Sequence, residues 1–182
     1  MFNTLLRNIG LRPRASQNIA ELRISDEATV QATVALASPS KPVISPITKR
    51  NCAFYLLVIE EWVNGQKHPF LTETSNKHFL LKDDGNAVMA NGKNASSRIK
   101  RNREQGHNSD YPAEIRAVIR RHGFSMIDEY GEGRSLSFTE TLILPGDSVL
   151  VSGRVTSEVD PGGAASYREQ PQRLVFLVDR LF

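Results

Sequence analysis

Residues 52–63, CAFYLLVIEEWV, are the most apolar run of this chain, and they end against Asn64-Gly65-Gln66. The run reads as one long strand opened by Cys52, continuously apolar at first and amphipathic from Glu60 and Glu61 onward. Its first part is therefore expected to be buried on both faces, which a sheet achieves only when something packs on each side of it. Asn-Gly-Gln directly after it is a hairpin turn signal. A chain built around such a strand must supply further strands to pair with it.

The rest of the sequence supplies them. Residues 29–37, TVQATVALA, alternate cleanly, with Val30, Ala32, Val34 and Leu36 on one face. A loop broken by Pro39, Pro42 and Pro46 follows. Strand material recurs over 69–84, 87–90, 135–144, 148–155 and 173–179, punctuated by turns at Asp-Asp-Gly-Asn and Pro-Gly-Asp. One helix is predicted over 110–123, DYPAEIRAVIRRHG, with Asp110 as its N-cap, Pro112 in its first turn, and an apolar stripe of Tyr111, Ile115, Val118 and Ile119. Gly123 is its expected C′ residue. Many short strands with a single late helix predict a mainly β fold: a small antiparallel OB-like barrel or sandwich, with one inserted α-helix and a short N-terminal helix.

That N-terminal helix is read from Phe2, Leu5, Leu6 and Ile9, which recur at helical spacing, with Arg7, Arg12 and Arg14 beside them and no acid before residue 21. It has the pattern of a short interfacial helix, so these seven residues are the membrane-interface candidates; the same stripe could equally close one end of the barrel. A second basic stretch, KNASSRIKRNR, carries Lys93, Arg98, Lys100, Arg101 and Arg103. It lies in a polar segment expected to be a mobile surface loop over 91–109. The predicted organisation is a basic amphipathic segment over 1–24 followed by a β domain over 25–182.

The overall net charge is only +3, so any attraction for anionic lipid or nucleic acid is local to these two stretches. One cysteine excludes an intrachain disulfide and any Cys-rich zinc site. The apolar runs are shorter than the roughly 20 residues of a spanning helix, and no signal-peptide pattern is present. A cytoplasmic protein, with peripheral membrane contact through its N-terminus, is the expectation.

Four blocks stand in order: SPITKRNCAFYLLVIEE, HFLLKDDGNAVM, the helix ending in RHG, and SFTETLILPGDSVLVSGRV. Together, over about residues 25–180, they resemble the GIDE domain, also called the BAM ("beside a membrane") domain. The positions that carry the resemblance are Ser45, Pro46, Thr48, Cys52 and Phe54; Asp83 or Asp84 with Gly85; and Glu140, Gly146, Asp147 and Gly153. The resemblance implies a domain of the kind found in organelle-membrane ubiquitin ligases, where it sits between transmembrane helices and precedes a RING, and in bacterial homologues without one. A RING needs about eight Cys and His ligands for two zinc ions. One Cys and four His cannot provide them, so the resemblance brings the domain and not the ligase chemistry.

The candidate chemical groups each have a plainer reading. Cys52 leads an apolar run and reads as a small buried hydrophobe, not a nucleophile. The histidines show no metal-ligand spacing, and neither a metal nor another cofactor is expected. Asp84-Gly85 and Gly146-Asp147 read as turn chemistry. Glu140 sits on an alternating strand, either as a structural acceptor or facing a ligand groove. Tyr55, Trp62, Phe70 and Phe79 are stacking candidates for single-stranded nucleic acid, or ordinary core. The function expected is a non-enzymatic GIDE-type binding or adaptor module with a protein partner, acting beside a membrane or in a complex. Glu140, Asp147 and the 93–103 cations are its binding candidates. The alternatives are an OB-like nucleic-acid-binding module or an accessory subunit of a ubiquitin-like conjugation system.

Overall fold

A computed structural model describes residues 16–38, 42–75, 77–97, 103–107, 111–160 and 171–182. Twelve strands and one α-helix follow in chain order: β1 (Glu27–Leu36), β2 (Val43–Ile44), β3 (Asn51–Cys52), β4 (Phe54–Val63), β5 (Gln66–Thr74), β6 (Phe79–Asp83), β7 (Asn86–Asn91), β8 (Ser96–Ser97), β9 (Arg103–His107), α1 (Ala113–Arg121), β10 (Leu136–Ile143), β11 (Ser148–Val159) and β12 (Gln172–Leu181).

Five strands close on themselves in the circuit β1-β6-β7-β12-β11-β1. All neighbours are antiparallel except β7 and β12, which run parallel with Val175 opposite Met89. Numbered along the chain, the barrel strands are ordered first, second, third, fifth, fourth, as in an OB-like Greek-key barrel, and closure removes the open edges a sheet would otherwise expose. Inward residues alternate along each strand, so Val30, Val34, Phe79, Leu81, Val151, Val155 and Phe176 meet in one core. Between Ser152 and Gly153 the β11–β12 register shifts. A Cβ on Gly153 would lie 2.0 Å from the Leu177 carbonyl oxygen, so only glycine allows β12 to pass there.

The two long insertions in the barrel build a second layer. Strands β2 to β5 depart between the first and second barrel strands, and β8 to β10 with α1 depart between the third and fourth. Together they form a four-stranded sheet in the order β5-β4-β10-β9. This explains the continuous apolar run. Phe54 and Leu56 on one face of β4 join the barrel core, while Leu57 and Ile59 on the other pack under Ile115, Val118 and Ile119 of α1. A strand sandwiched between a barrel and a helix must be apolar on both faces.

Helix α1 starts after Pro112, which occupies the N-cap position with no side-chain cap; the expected cap, Asp110, lies outside the described residues. It ends in a Schellman arrangement: Gly123 has φ 78°, its N–H donates to the Arg120 carbonyl, and the Phe124 N–H donates to that of Ile119.

Three expectations are corrected. Residues 52–63 are not one strand. Cys52 pairs with Val43 in the small β2–β3 sheet, and the Ala53 N–H turns to the Ile143 carbonyl (2.8 Å) before β4 begins. Residues 91–109 are not only loop. They include β8 and β9, and β9 pairs with β10 along five residues, because main-chain ladders need no apolar side chains. The boundary at residue 24 falls inside a packed unit: Ile19 and Leu22 are buried in the barrel core, and the Ile19 N–H donates to Asp83 Oδ2 at 2.8 Å. The predicted N-terminal helix, with Phe2, Leu5, Leu6, Arg7, Ile9, Arg12 and Arg14, lies outside the described residues. No helix among the described residues is long and apolar enough to cross a membrane.

Candidate functional site

Ser45, Pro46 and Thr48 gather around one buried carboxylate. Glu140 lies mid-way along β10 with 0% exposure. Its Oε1 accepts the Ile47 N–H at 2.8 Å, and its Oε2 accepts the Thr48 N–H at 3.0 Å and the Thr48 hydroxyl at 2.7 Å. Ser45 completes the knot: its Oγ lies 2.7 Å from Thr48 Oγ1 and accepts the Arg50 N–H at 3.1 Å, while its own N–H donates to the Arg50 carbonyl. Lys49, held at φ 56°, donates from Nζ to the Pro46 carbonyl at 2.8 Å. The turn between β2 and β3 is thus wrapped around a single acid, and three donors satisfy the charge in place of water.

Cys52 sits next to this knot with 0% exposure, packed with Val43 and Leu142. Burial, with help from the Glu140 charge and against a lowering by Arg50, pushes its thiol up to about 12 from an ordinary 9.0. A thiol in that state is protonated at neutral pH and is a poor nucleophile. Glu140 is a structural acceptor and not a wall of a ligand groove.

Asp147 and Gly146 serve the turn into β11. Asp147 Oδ2 accepts the Leu144 N–H at 2.8 Å, Gly146 takes φ 92°, and both residues bond through their backbones to Val34. Asp84 (φ 30°) and Gly85 (φ 89°) make the β6–β7 hairpin turn. They border an open polar cleft of about 910 Å3, shared with Asn18, Gln31, Lys82 and Ser148. The resemblance-bearing residues therefore divide between a loop knot, three turns or bulges, and one surface cleft.

Lys93 is exposed, its N–H bonded to Asn91 Oδ1 and its carbonyl to the Thr74 hydroxyl. Arg103 lies on β9 opposite Thr141, and Arg98, Lys100 and Arg101 lie outside the described residues. Among the aromatic candidates, Phe79 is fully buried, Tyr55 donates to Glu73, and Phe70 lies against Phe124 and the Arg134 guanidinium. Trp62 retains partial exposure, with Lys67 Nζ 5.2 Å from its ring centroid.

Two clusters were not foreseen from sequence. Under the C-terminal end of α1, the Glu73 carboxylate accepts from Tyr55 (2.6 Å) and from Arg121 through both oxygens (2.7 and 2.6 Å), and it meets His122 Nε2 at 2.7 Å. Burial acts to raise the Glu73 carboxyl, but these hydrogen bonds and the Arg121 charge outweigh it and hold it below its ordinary value. The second cluster is centred on Arg134, which donates to Glu61 Oε1 (2.7 Å) and the Ser125 carbonyl (3.1 Å) while lying over Phe70. It anchors a loop on which Phe124, Ile127 and Tyr130 are exposed. Neither cluster has a local signal in the sequence, because the partners of Glu73 and Arg134 lie on other elements.

Among the described residues no group of three or more His, Cys, Asp or Glu side chains is placed to hold a metal ion. No protein-family model, curated protein or solved structure matches this chain.

Proposed function

We propose that this chain is a non-enzymatic binding or adaptor module of the GIDE kind, acting beside a membrane or within a protein complex. The observation that carries the reading is the Glu140 knot. Ser45, Thr48 and Glu140 come from segments about ninety residues apart in sequence, yet they bond to one another and to no cleft. A motif whose polar atoms are consumed internally supports a scaffold, with recognition left to the surface. The exposed Phe124, Ile127 and Tyr130 are where such a module would offer that surface.

A second reading is an OB-like nucleic-acid-binding module, favoured by the barrel circuit itself. Of its aromatic candidates Phe79, Tyr55 and Phe70 are engaged in packing or hydrogen bonds, while Trp62, beside Lys67, and Lys93 are the ones with exposed surface. Phosphate binding by those cations weakens steeply with salt. Size-exclusion of a native extract, with oligonucleotide titration of the purified chain at 50 and 200 mM salt, separates the two. The adaptor reading expects elution well above the size of a single chain and no salt-sensitive oligonucleotide binding. Elution as a single chain together with tight, salt-sensitive oligonucleotide binding would replace it with the second reading.

A further inference from the structure

We propose that the loop 124–134, with Tyr130 at its tip, is a preformed docking knob for a partner protein whose surface offers an apolar pocket rimmed by Lys or Arg. The inference rests on the binding-module reading above and names the surface and the partner chemistry. Tyr130 is 83% exposed, Ile127 53% and Phe124 47%. Isolated exposed apolar residues are ordinary. What distinguishes these three is the support beneath them.

Asp128 organises the tip. Its Oδ1 accepts the N–H of Tyr130 at 2.9 Å and of Glu132 at 2.8 Å, and its own N–H donates to the Glu132 carbonyl at 2.8 Å. Gly131 turns the chain at φ 85°, and Ile127 bridges to Gly133 below it. At the base, the Arg134 N–H donates to the Met126 carbonyl (2.9 Å), and its guanidinium ties Glu61, Ser125 and the face of Phe70 together. Phe70 in turn holds Phe124 at 5.1 Å between ring centroids. The loop is fixed before any partner arrives, so binding through it costs little further ordering. Tyrosine adds a large, amphipathic contact with few rotatable bonds, the reason it is over-represented at binding hot spots.

The loop's charge selects the occupant. Tyr130 is flanked by exposed Glu129 and Glu132, with Asp128 adjacent, on a chain of net charge +3. The one cation of the loop, Arg134, is already paired with Glu61. These acids repel lipid and nucleic-acid phosphates and attract a rim of Lys or Arg.

The test places a photoreactive benzophenone amino acid at position 130 of the full-length chain in the cells that make it, with positions 31 and 174 as references on other faces. After irradiation, the crosslinked peptides are sequenced by mass spectrometry. The expected result is one discrete product from position 130, joined to a different protein at an apolar peptide bordered by Lys or Arg. Its yield should fall roughly ten-fold or more in a Glu129→Lys, Glu132→Lys background, because like charges then face each other. The melting point of Tyr130→Ala should be unchanged, showing that the tip carries no folding role. A product from 130 that ignores the charge reversal, or one that joins two copies of this chain, overturns the proposed partner chemistry. Products from 31 or 174 with none from 130 overturn the knob and leave the module reading standing. No product from any position overturns both.

Discussion

The carboxylate of Glu140 accepts both the N–H and the hydroxyl of Thr48, at 3.0 and 2.7 Å, across 92 positions of sequence. The pair joins β10 of the second sheet to the turn between β2 and β3, and so staples the first barrel insertion to the second. With the Ile47 N–H bound to the other oxygen, both carboxylate oxygens are engaged by the turn. Removing the acid would strand buried donors, which is the expensive half of a hydrogen bond.

Glu140→Ala is therefore expected to lower unfolding stability by about 3 kcal/mol, the loss of charged hydrogen bonds plus unsatisfied N–H groups. For a chain of this size that is a fall of roughly 6–12 °C in melting point. Glu140→Gln should recover only part of it, because its amide NH2 would face a donor. Denaturant unfolding of the three proteins checks this; a loss under about 1 kcal/mol for Glu140→Ala would mean the knot is not a staple.

Gly153→Ala should be among the most damaging single changes. The added Cβ meets backbone, the Leu177 carbonyl oxygen at 2.0 Å, and backbone in a closed barrel cannot move aside. A cost of about 3 kcal/mol or more is expected. Gly133→Ala is the matched control, since nothing lies within 4 Å of a Cβ there, and it should change stability by less than about 0.5 kcal/mol. Similar melting points for the two variants would contradict the close approach at the bulge.

Stability should also depend on pH through Glu73. Its carboxyl titrates below its ordinary 4.5 in the folded protein, so the folded state favours the charged form. A depressed carboxylate contributes stability that is present above the unfolded value and lost as pH falls through the folded one. Glu73→Gln should be less stable than the natural chain by about 1–2 kcal/mol at pH 7, from the hydrogen bonds of Tyr55, Arg121 and His122 to the charge. That gap should shrink from about pH 5 downward. Unfolding free energies of both proteins from pH 7 to pH 3 measure it; a gap that stays constant would show that the charge on Glu73 is not what matters.

Cys52 should be chemically silent in the native state. With its thiol pushed up to about 12, the thiolate fraction at pH 8 is minute, and the side chain is fully buried. Labelling by a disulfide reagent should be at least about a thousand-fold slower in the folded protein than in denaturant, since it waits for opening of a core region. Fast native labelling that levels off near neutral pH would show an exposed, low-pKa thiol instead.

The sequence alone determined the kinds of element and most of the core. Period-two alternation at Val30, Ala32 and Val34, the Asn64-Gly65 and Asp84-Gly85 turns, and the stripe Ile115, Val118, Ile119 each act over a few neighbouring residues, and such local signals survive in a linear reading. The apolar run of β4 likewise marked an end buried on both faces. Tertiary structure alone decided which elements meet. Cys52 left the central strand because Val43, nine residues earlier, offered a ladder partner; β9 formed in a polar tract because the edge of β10 was open; and the choice for Glu140 between acceptor and groove wall was settled by Thr48 on another insertion. The Glu73 cluster and the Arg134 anchor of the Tyr130 loop belong to the same class. Hydrogen bonds and ion pairs between side chains act over about 3 Å in space and carry no period along the chain, so only the closed barrel and its two insertions could bring these partners within reach.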